Sequence, residues 1–216
     1  MKRTLVLAAA SALVMAAPAL ADDFSDGLAA IQNEWATANY QTTGKAERGD
    51  AFAALVEHAA AFRSQHPERA EALAWEGIVL STYAGEVSAM SAMKYAKAAR
   101  AALEQAEKLN ATALDGGIYA SLGALYSKVP GGFVGFGDDK LAAQYFEKAL
   151  AIDDGNIDNN YFYGEFLLDQ GDYARARGVL EHALAAPTIA DRPVFDAGRR
   201  EEIRTLLAVA LRKTSS

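Results

Sequence analysis

The sequence contains no cysteine and only three histidines, and these shortages exclude several kinds of chemistry. Without a thiol the chain forms no disulfide, carries no thioether-linked lipid and has no cysteine nucleophile. The histidines, His58, His66 and His182, are too far apart in sequence for the usual zinc-binding spacings. A G-x-S-x-G motif is also missing. We therefore expect a protein that is not an enzyme and that uses no cofactor and no metal.

The sequence also lacks a cluster of basic residues beyond its first few positions. Its 21 lysines and arginines are scattered among 28 acidic residues, which gives a formal net charge of −7. A negatively charged surface repels nucleic-acid phosphates and anionic lipid. We therefore expect a protein or peptide partner and no nucleic acid.

The first 21 residues have the pattern of a secretory signal peptide. Lys2 and Arg3 precede an uncharged stretch, residues 4–20, and the small-x-small sequence Ala-Leu-Ala closes the segment. We expect cleavage after Ala21, a periplasmic or secreted location, and no stable membrane insertion afterwards; an uncleaved membrane anchor is the alternative. Cleavage removes two basic residues and no acidic one, which leaves a net charge of −9 on the expected helical repeat domain, residues 22–216.

The rest of the chain repeats itself at a fixed period. Ala142 and Ala176 each begin the pattern A-x3-[F/L]-x2-A-L, and they are 34 residues apart, the length of one tetratricopeptide repeat. A shorter copy begins at Ala99, 43 residues before Ala142, so that nine residues are inserted between them. Apolar residues follow helical spacing. Apolar and polar residues nowhere alternate over a long enough stretch to predict a strand. The fold class is therefore expected to be all-α.

Glycines in the first helix of each hairpin support this register. Gly123 lies in the pattern Y-x2-L-G-x2-Y, which ends at Tyr126 and fits the repeat at every position, whereas Gly77 and Gly164 lie in weaker copies. Because glycine has no Cβ, each position lets the neighbouring helix approach closely. The pattern predicts a solenoid of four antiparallel hairpins and a capping helix, over residues 25–40 and 49–65, 69–84 and 88–108, 113–128 and 138–151, 158–170 and 173–185, and 196–213. The first hairpin fits the repeat only loosely.

The last predicted helix has an apolar side and a charged side. A terminal cap buries the first against the solenoid and turns the second toward water. The apolar side comprises Ile203, Leu206, Leu207, Ala210 and Leu211, and the side expected to face water comprises Arg199, Arg200, Glu201, Glu202 and Arg204.

The inserted residues fall in the segment 129–139, VPGGFVGFGDD. Its two phenylalanines, Phe133 and Phe136, must either fold back onto the helices as a plug or meet a ligand, and the sequence leaves both interpretations open. Asp138 and Asp139 fall at the start of the following helix, where they would repel a bound phosphate. A nucleotide site is therefore not expected.

One turn resembles a calcium loop in its oxygen ligands, which are Asp154, Asn156, Asp158 and Glu165. Asn159 replaces the glycine that such a loop needs at its sharp bend. A turn between repeats is the better interpretation, and we expect no metal there.

Three consecutive aromatic residues, Tyr161 to Tyr163, cannot all point inward from one helix. The repeat register places Tyr161, Glu165 and Leu168 on the concave side, where solenoids of this kind bind peptides. A tyrosine that covers the neighbouring repeat is equally consistent with the pattern. The predicted partner-binding residues are Tyr126, Phe133, Phe136, Tyr161, Glu165 and Leu168.

From about Trp75 to Arg212 the chain resembles a family of secreted bacterial tetratricopeptide-repeat proteins. The segments that carry the resemblance are SKVPGGFVGFGDDK, GNIDNNYFYGEFLLDQGDYARA and ADRPVFDAGRREEIR. The resemblance implies a periplasmic helical adaptor. A more distant likeness is to the T component of TRAP transporters, a periplasmic repeat protein that is typically lipid-anchored and larger.

Two functions follow from these observations. The first is a periplasmic scaffold or adaptor whose concave groove, flanked by Phe133 and Phe136, holds a segment of a partner protein. The second is an accessory component of a transport system, in which the inserted loop closes a pocket over a small apolar ligand. The oligomeric state and the partner are not encoded in any motif.

Overall fold

The computed structural model describes the backbone of residues 18–214 and the side chains of residues 23–214. Within these residues the chain folds into nine α-helices and one 3-10 turn, with no strand. The helices are α1 (Pro18–Tyr40), α2 (Lys45–Gln65), α3 (Ala70–Glu86), α4 (Ala89–Leu109), α5 (Gly117–Lys128), α6 (Asp139–Ile152), α7 (Ile157–Asp169), α8 (Tyr173–Ala185) and α9 (Pro193–Thr214), and the 3-10 turn (Ala113–Gly116) precedes α5. The prediction of four hairpins and a last helix is confirmed.

The hairpins stack into two layers. Helices α1 and α2, α3 and α4, α5 and α6, and α7 and α8 pack as antiparallel pairs, and each pair also packs on the next. The first helices of the pairs contact one another along the stack, from α1 to α3, α5 and α7. The odd-numbered helices therefore form an inner layer, and the even-numbered helices form the outer one.

The three glycines of the repeat pattern lie at close helix crossings. A Cβ on Gly77 would lie 2.7 Å from Leu103, one on Gly123 would lie 2.7 Å from Phe146, and one on Gly164 would lie 2.6 Å from Leu180. These three partners are the large residues of the A-x3-[F/L] pattern in the second helices, and each is almost fully buried. The two sequence patterns therefore describe the two sides of the same contact.

The first hairpin uses the same contact, although its sequence fits the repeat poorly. A Cβ on Gly27 in α1 would lie 2.6 Å from the ring of Phe62 in α2. Phe62 also stacks on Phe24, with ring centroids 5.3 Å apart. The first hairpin therefore packs like the others and belongs to the same stack.

Polar side chains fix the turns between the helices. Asp138 accepts hydrogen bonds from the backbone N–H groups of Lys140 and Leu141 and so caps α6, as expected. In the turn with calcium-like ligands, Asn159 is fully buried and its amide donates to three backbone carbonyls. These bonds join the last turn of α6 to the 3-10 turn, which supports the interpretation of this segment as a turn between repeats.

The core is divided into two parts. One lies within the second, third and fourth hairpins. The other joins residues from the two ends of the described chain: Phe24, Ile31 and Trp35 from α1 belong to the same cluster as Phe195 and Ile203 from α9. The two ends of the solenoid are therefore packed against each other.

The predicted leader, residues 1–21, lies outside the described residues except for the backbone of 18–21, which forms the first turn of α1. Its role as a signal peptide and the cleavage after Ala21 stay predictions. Among the helices that are described, none is long and apolar enough to cross a membrane.

Candidate functional site: a central cavity and an apolar rim

The contact between α9 and α1 closes the inner layer. The ring of Tyr40 lies directly over Gly198, where there is no room for a Cβ. Its hydroxyl donates a hydrogen bond of 2.8 Å to Glu202. Phe195 adds aromatic contacts, with its ring centroid 6.2 Å from that of Trp35. Helix α9 thus packs on α8 as a cap and, with another face, on α1.

Closure converts the concave side into a cavity of about 460 Å³. All five inner helices contribute to its wall, together with the 3-10 turn. The aromatic lining residues are Trp35, Trp75, Tyr161, Phe162 and Phe195, and the charged ones are Asp115, Asp158, Asp191, Glu202, Arg192 and Arg199. A cavity of this size lies within the range of small-ligand sites.

Arg199 is the central polar group of this wall. The expectation that it faces water is wrong, because its side chain is only 4% exposed. Its Nε donates to Asp158 at 2.7 Å and its Nη1 donates to Glu202 at 2.7 Å. Its guanidinium also lies 3.9 Å from the ring centroid of Tyr161. An aromatic face and two carboxylates therefore replace the water that a buried guanidinium loses.

The groups of this cluster shift one another's pKa values. Burial alone lowers the pKa of Arg199, but Asp158, Tyr40 and Glu202 outweigh it and raise the pKa above its ordinary value. Burial raises the pKa of Tyr40 and of Tyr161, against the lowering effect of Arg199. The arginine therefore stays charged and the two phenols stay neutral at any ordinary pH.

The two tryptophans differ in their hydrogen bonding. The indole N–H of Trp35 donates to the hydroxyl of Thr82 at 2.9 Å. The indole N–H of Trp75 is buried and has no acceptor among the described residues, although the residue lines the cavity and is only 6% exposed. A buried donor without a partner is costly, and this one is also inaccessible to solvent.

The inserted loop, residues 129–138, is braced by its own backbone. The N–H of Gly137 donates to the carbonyl of Pro130 at 3.0 Å, and the N–H of Asp138 donates to that of Tyr126 at 2.9 Å. A Cβ on Gly137 would overlap the carbonyl of Val129, so glycine is required where the loop crosses itself. The loop is therefore a defined structure rather than a loose connection.

The two phenylalanines of this loop have different surroundings. Phe136 packs edge-on against Tyr126, with centroids 5.5 Å apart, and the guanidinium of Arg100 lies 4.3 Å from its ring centroid. Phe133 is fully exposed, and Val134 beside it is largely exposed. Phe136 therefore folds back onto the helices, as the plug interpretation predicts. Phe133 does not, and it is free to meet a partner.

A second concave surface lies next to this loop. It has a volume of about 350 Å³ and is lined mainly by apolar atoms of α3, α4, α5 and α7. Met93 in its wall approaches the loop at Gly135, and Met90 lies one turn earlier on α4 and is exposed. We refer to the exposed or half-exposed residues here as the apolar rim: Met90, Met93, Val129, Phe133 and Val134.

The six predicted partner-binding residues lie in three places. Tyr161 lines the central cavity. Phe133 lies in the apolar rim, and Glu165 lines the adjoining concave surface, where Lys128 approaches it at 3.2 Å. The other three are packed between helices or under the loop: Tyr126, Phe136 and Leu168.

Residues that the sequence analysis did not assign to a binding site form most of the cavity wall. Phe195, Arg199 and Glu202 follow one another at positions i, i+4 and i+7 of α9, which is the spacing of one helix face. This spacing could have predicted a cavity-facing side of α9. The neighbouring charged residues instead made the whole segment resemble a helix face exposed to water.

The comparison with known families agrees with this architecture. Residues 135–187, from the end of the inserted loop to the turn after α8, match the family model of the tetratricopeptide repeat. Together with the 34-residue period and the glycine contacts, the match supports a tetratricopeptide-repeat protein, a class whose members typically act as protein-interaction scaffolds. A search of curated proteins finds no match.

Proposed function

We propose that this protein is an exported adaptor that docks a segment of a partner protein on the apolar rim. The observation that carries the proposal is the full exposure of Phe133 on a loop whose backbone is braced. Because the backbone of the loop is already braced, a partner that covers this side chain has to restrict mainly the freedom of the side chain itself. Large aromatic residues supply much of the binding free energy at protein interfaces.

The residues beneath the loop support this arrangement. Tyr126 and Phe136 pack together and hold the two ends of the loop against α5 and α4. We assign these two residues the role of positioning Phe133 rather than of contacting the partner. Replacing Phe136 should therefore loosen the loop and weaken docking indirectly.

The charge near the rim selects the partner. Lys128 is paired with Glu165 at 3.2 Å and with Asp169 at 2.7 Å, so two carboxylates meet one ammonium group. The whole chain is also acidic. A basic segment is therefore attracted to this edge, an acidic one is repelled, and a neutral one is neither attracted nor repelled by its charge.

We test docking by placing a photo-crosslinking amino acid at Val134 in intact cells and identifying the attached chain by mass spectrometry. Phe133→Ala should then weaken binding of that chain by roughly 30-fold, as expected for a residue at the centre of an interface. Leu109→Ala is the matched control, because Leu109 is also an exposed apolar residue but lies at the other end of α4. Equal binding by both variants would argue against the rim as the docking surface.

The export step needs its own experiment. We propose a periplasmic location on the basis of the leader pattern in residues 1–21. Fractionation of cells followed by sequencing of the mature N-terminus should give a periplasmic chain that begins at Asp22. A full-length chain that stays with the membrane fraction would support the uncleaved anchor instead.

A second candidate function is the binding of a small ligand in the central cavity, as in an accessory component of a transport system. It is favoured by the contact between α1 and α9, which leaves a cavity of about 460 Å³ where an open solenoid would have a groove. Native mass spectrometry of the protein purified from cells tests it. A retained small mass supports the cavity as a site, and a retained polypeptide supports the adaptor.

A further inference from the structure

We propose that the central cavity binds a small organic cation that has an apolar body. This inference rests on the second candidate function and does not depend on docking at the rim. It is drawn from two properties of the cavity wall, its charge and its aromatic faces.

The charge of the wall is negative. Four carboxyl groups line the cavity, those of Asp115, Asp158, Asp191 and Glu202, against two guanidinium groups, those of Arg192 and Arg199. The wall therefore has a formal charge of −2. In a partly enclosed space this charge is screened less than on an open surface, and it favours a cationic ligand over an anionic one.

Arg199 offers no open site for an anion. It is buried and already donates to Asp158 and Glu202, so a carboxylate ligand would have to displace one of them. The guanidinium of Arg192 lies 4.6 Å from the ring centroid of Phe195. An anion that paired with Arg192 would still lie in a wall whose formal charge is −2.

The aromatic faces favour the same class of ligand. Trp35, Trp75, Phe162 and Phe195 present rings to the cavity in addition to Tyr161, whose ring is near Arg199. The face of an aromatic ring has a negative quadrupole and attracts ammonium groups, most strongly when the ring is tryptophan. The same rings bury apolar ligand surface, which accounts for the apolar body.

Three probes with one skeleton separate the contribution of charge from that of shape. Tyramine is cationic, 4-hydroxyphenylethanol is neutral and 4-hydroxyphenylacetate is anionic, and all three carry a hydroxyl group that can accept a hydrogen bond. The chain contains only two tryptophans, and both line the cavity, so indole fluorescence reports directly on its occupancy. Calorimetry of the same titrations gives the dissociation constants.

We expect tyramine to bind about tenfold more tightly than the neutral alcohol, which corresponds to about 1.4 kcal/mol, and the anion to bind most weakly. Asp115→Asn with Asp191→Asn neutralises two exposed lining residues and should remove most of the preference for tyramine. Asparagine also tolerates the positive φ of position 115. The matched control is Glu57→Gln with Glu147→Gln, which removes the same charge from exposed residues outside the cavity wall.

The outcomes distinguish this inference from the function on which it rests. Tightest binding of the anion, or a retained anionic mass in native mass spectrometry, would overturn the cationic class while leaving the cavity as a ligand site. An absence of any fluorescence change with all three probes, together with no retained small mass, would overturn both. Docking at the rim is measured separately and is unaffected by either result.

Discussion

Among the charged side chains that the structure describes, Arg199 is the most completely buried. It joins Asp158 on α7 to Glu202 on α9, and Glu202 in turn accepts from Tyr40 on α1. One side chain therefore takes part in the contact between three inner helices. Its neighbours Arg200 and Asp196 form a second pair, at 3.0 Å, that is directed toward the end of α8.

Arg199→Ala should destabilise the protein by about 3 kcal/mol, the lower end for a broken buried ion pair, because it leaves two partly exposed carboxylates without their shared cation. Urea unfolding followed by circular dichroism measures this loss. Arg204→Ala is the control: Arg204 also pairs with a glutamate three residues away on α9, but both partners are exposed, so the change should be below about 1 kcal/mol. Similar losses in the two variants would contradict the account of the buried cluster.

Asp196 makes the stability depend on pH. Burial alone raises the pKa of Asp196, but hydrogen bonds from Arg200 and from the backbone N–H of Ile189 outweigh it and lower the pKa below its ordinary value. A carboxyl group whose pKa is lower in the folded state stabilises the protein above its unfolded pKa and loses this effect as pH falls through the folded pKa. The stability difference between wild type and Asp196→Asn should therefore be full at neutral pH and shrink below about pH 4. Urea unfolding at a series of pH values measures it, and a constant difference would contradict the assignment.

The limits of sequence reasoning at this scale are visible on α9. Five charged residues occur among positions 199–204, and helical spacing alone does not show which of them faces the inside. The burial of Arg199 depends on Tyr161 and Asp158, which are about 40 residues away in sequence. The apolar side of the same helix was predictable for Ile203 and Ala210, which are buried, because its residues repeat at the period of a helix; the expectation was wrong for Leu211, which is 37% exposed.

At the scale of elements, the glycine contacts offer a comparison within one hairpin. Gly164→Ala should destabilise the protein by about 1–3 kcal/mol, because its Cβ would lie 2.6 Å from Leu180. Gly178→Ala should have the opposite sign and stabilise it by about 0.5–1 kcal/mol, since a Cβ there would meet no described atom within 4 Å and alanine favours the helix. Thermal unfolding of the two variants measures both changes. Two changes of the same sign would contradict the role assigned to the close crossing.

The helices themselves were largely predictable, and the reason is the repeat. Each hairpin has to bury its apolar face on copies of itself, so the same small and large residues recur at fixed positions. The first hairpin was harder to recognise, because Gly27 and Phe62 make the same contact without the surrounding pattern. The inserted loop has no repeat to be compared with, and the fate of Phe133 and Phe136 depends on how its glycines let the backbone cross itself.

At the scale of the whole molecule, the closure of the inner layer was not predictable from the repeat. Curvature of a solenoid accumulates from small rotations between successive pairs, and no single residue pattern encodes it. Tyr40 and Gly198 lie outside the repeat pattern, at opposite ends of the helical region. Their contact nevertheless decides whether the concave side is an open groove for a peptide or a cavity for a small ligand.

The closure is tested most directly by replacing Tyr40 with the photo-crosslinking residue p-benzoylphenylalanine and mapping the product by mass spectrometry. Irradiation of the dilute monomer should join position 40 to α9, within the residues around Gly198, while the same label at the exposed Thr37 should not reach α9. Crosslinks from position 40 only to α1 or α2, or only between two molecules, would show an open solenoid and contradict the central cavity.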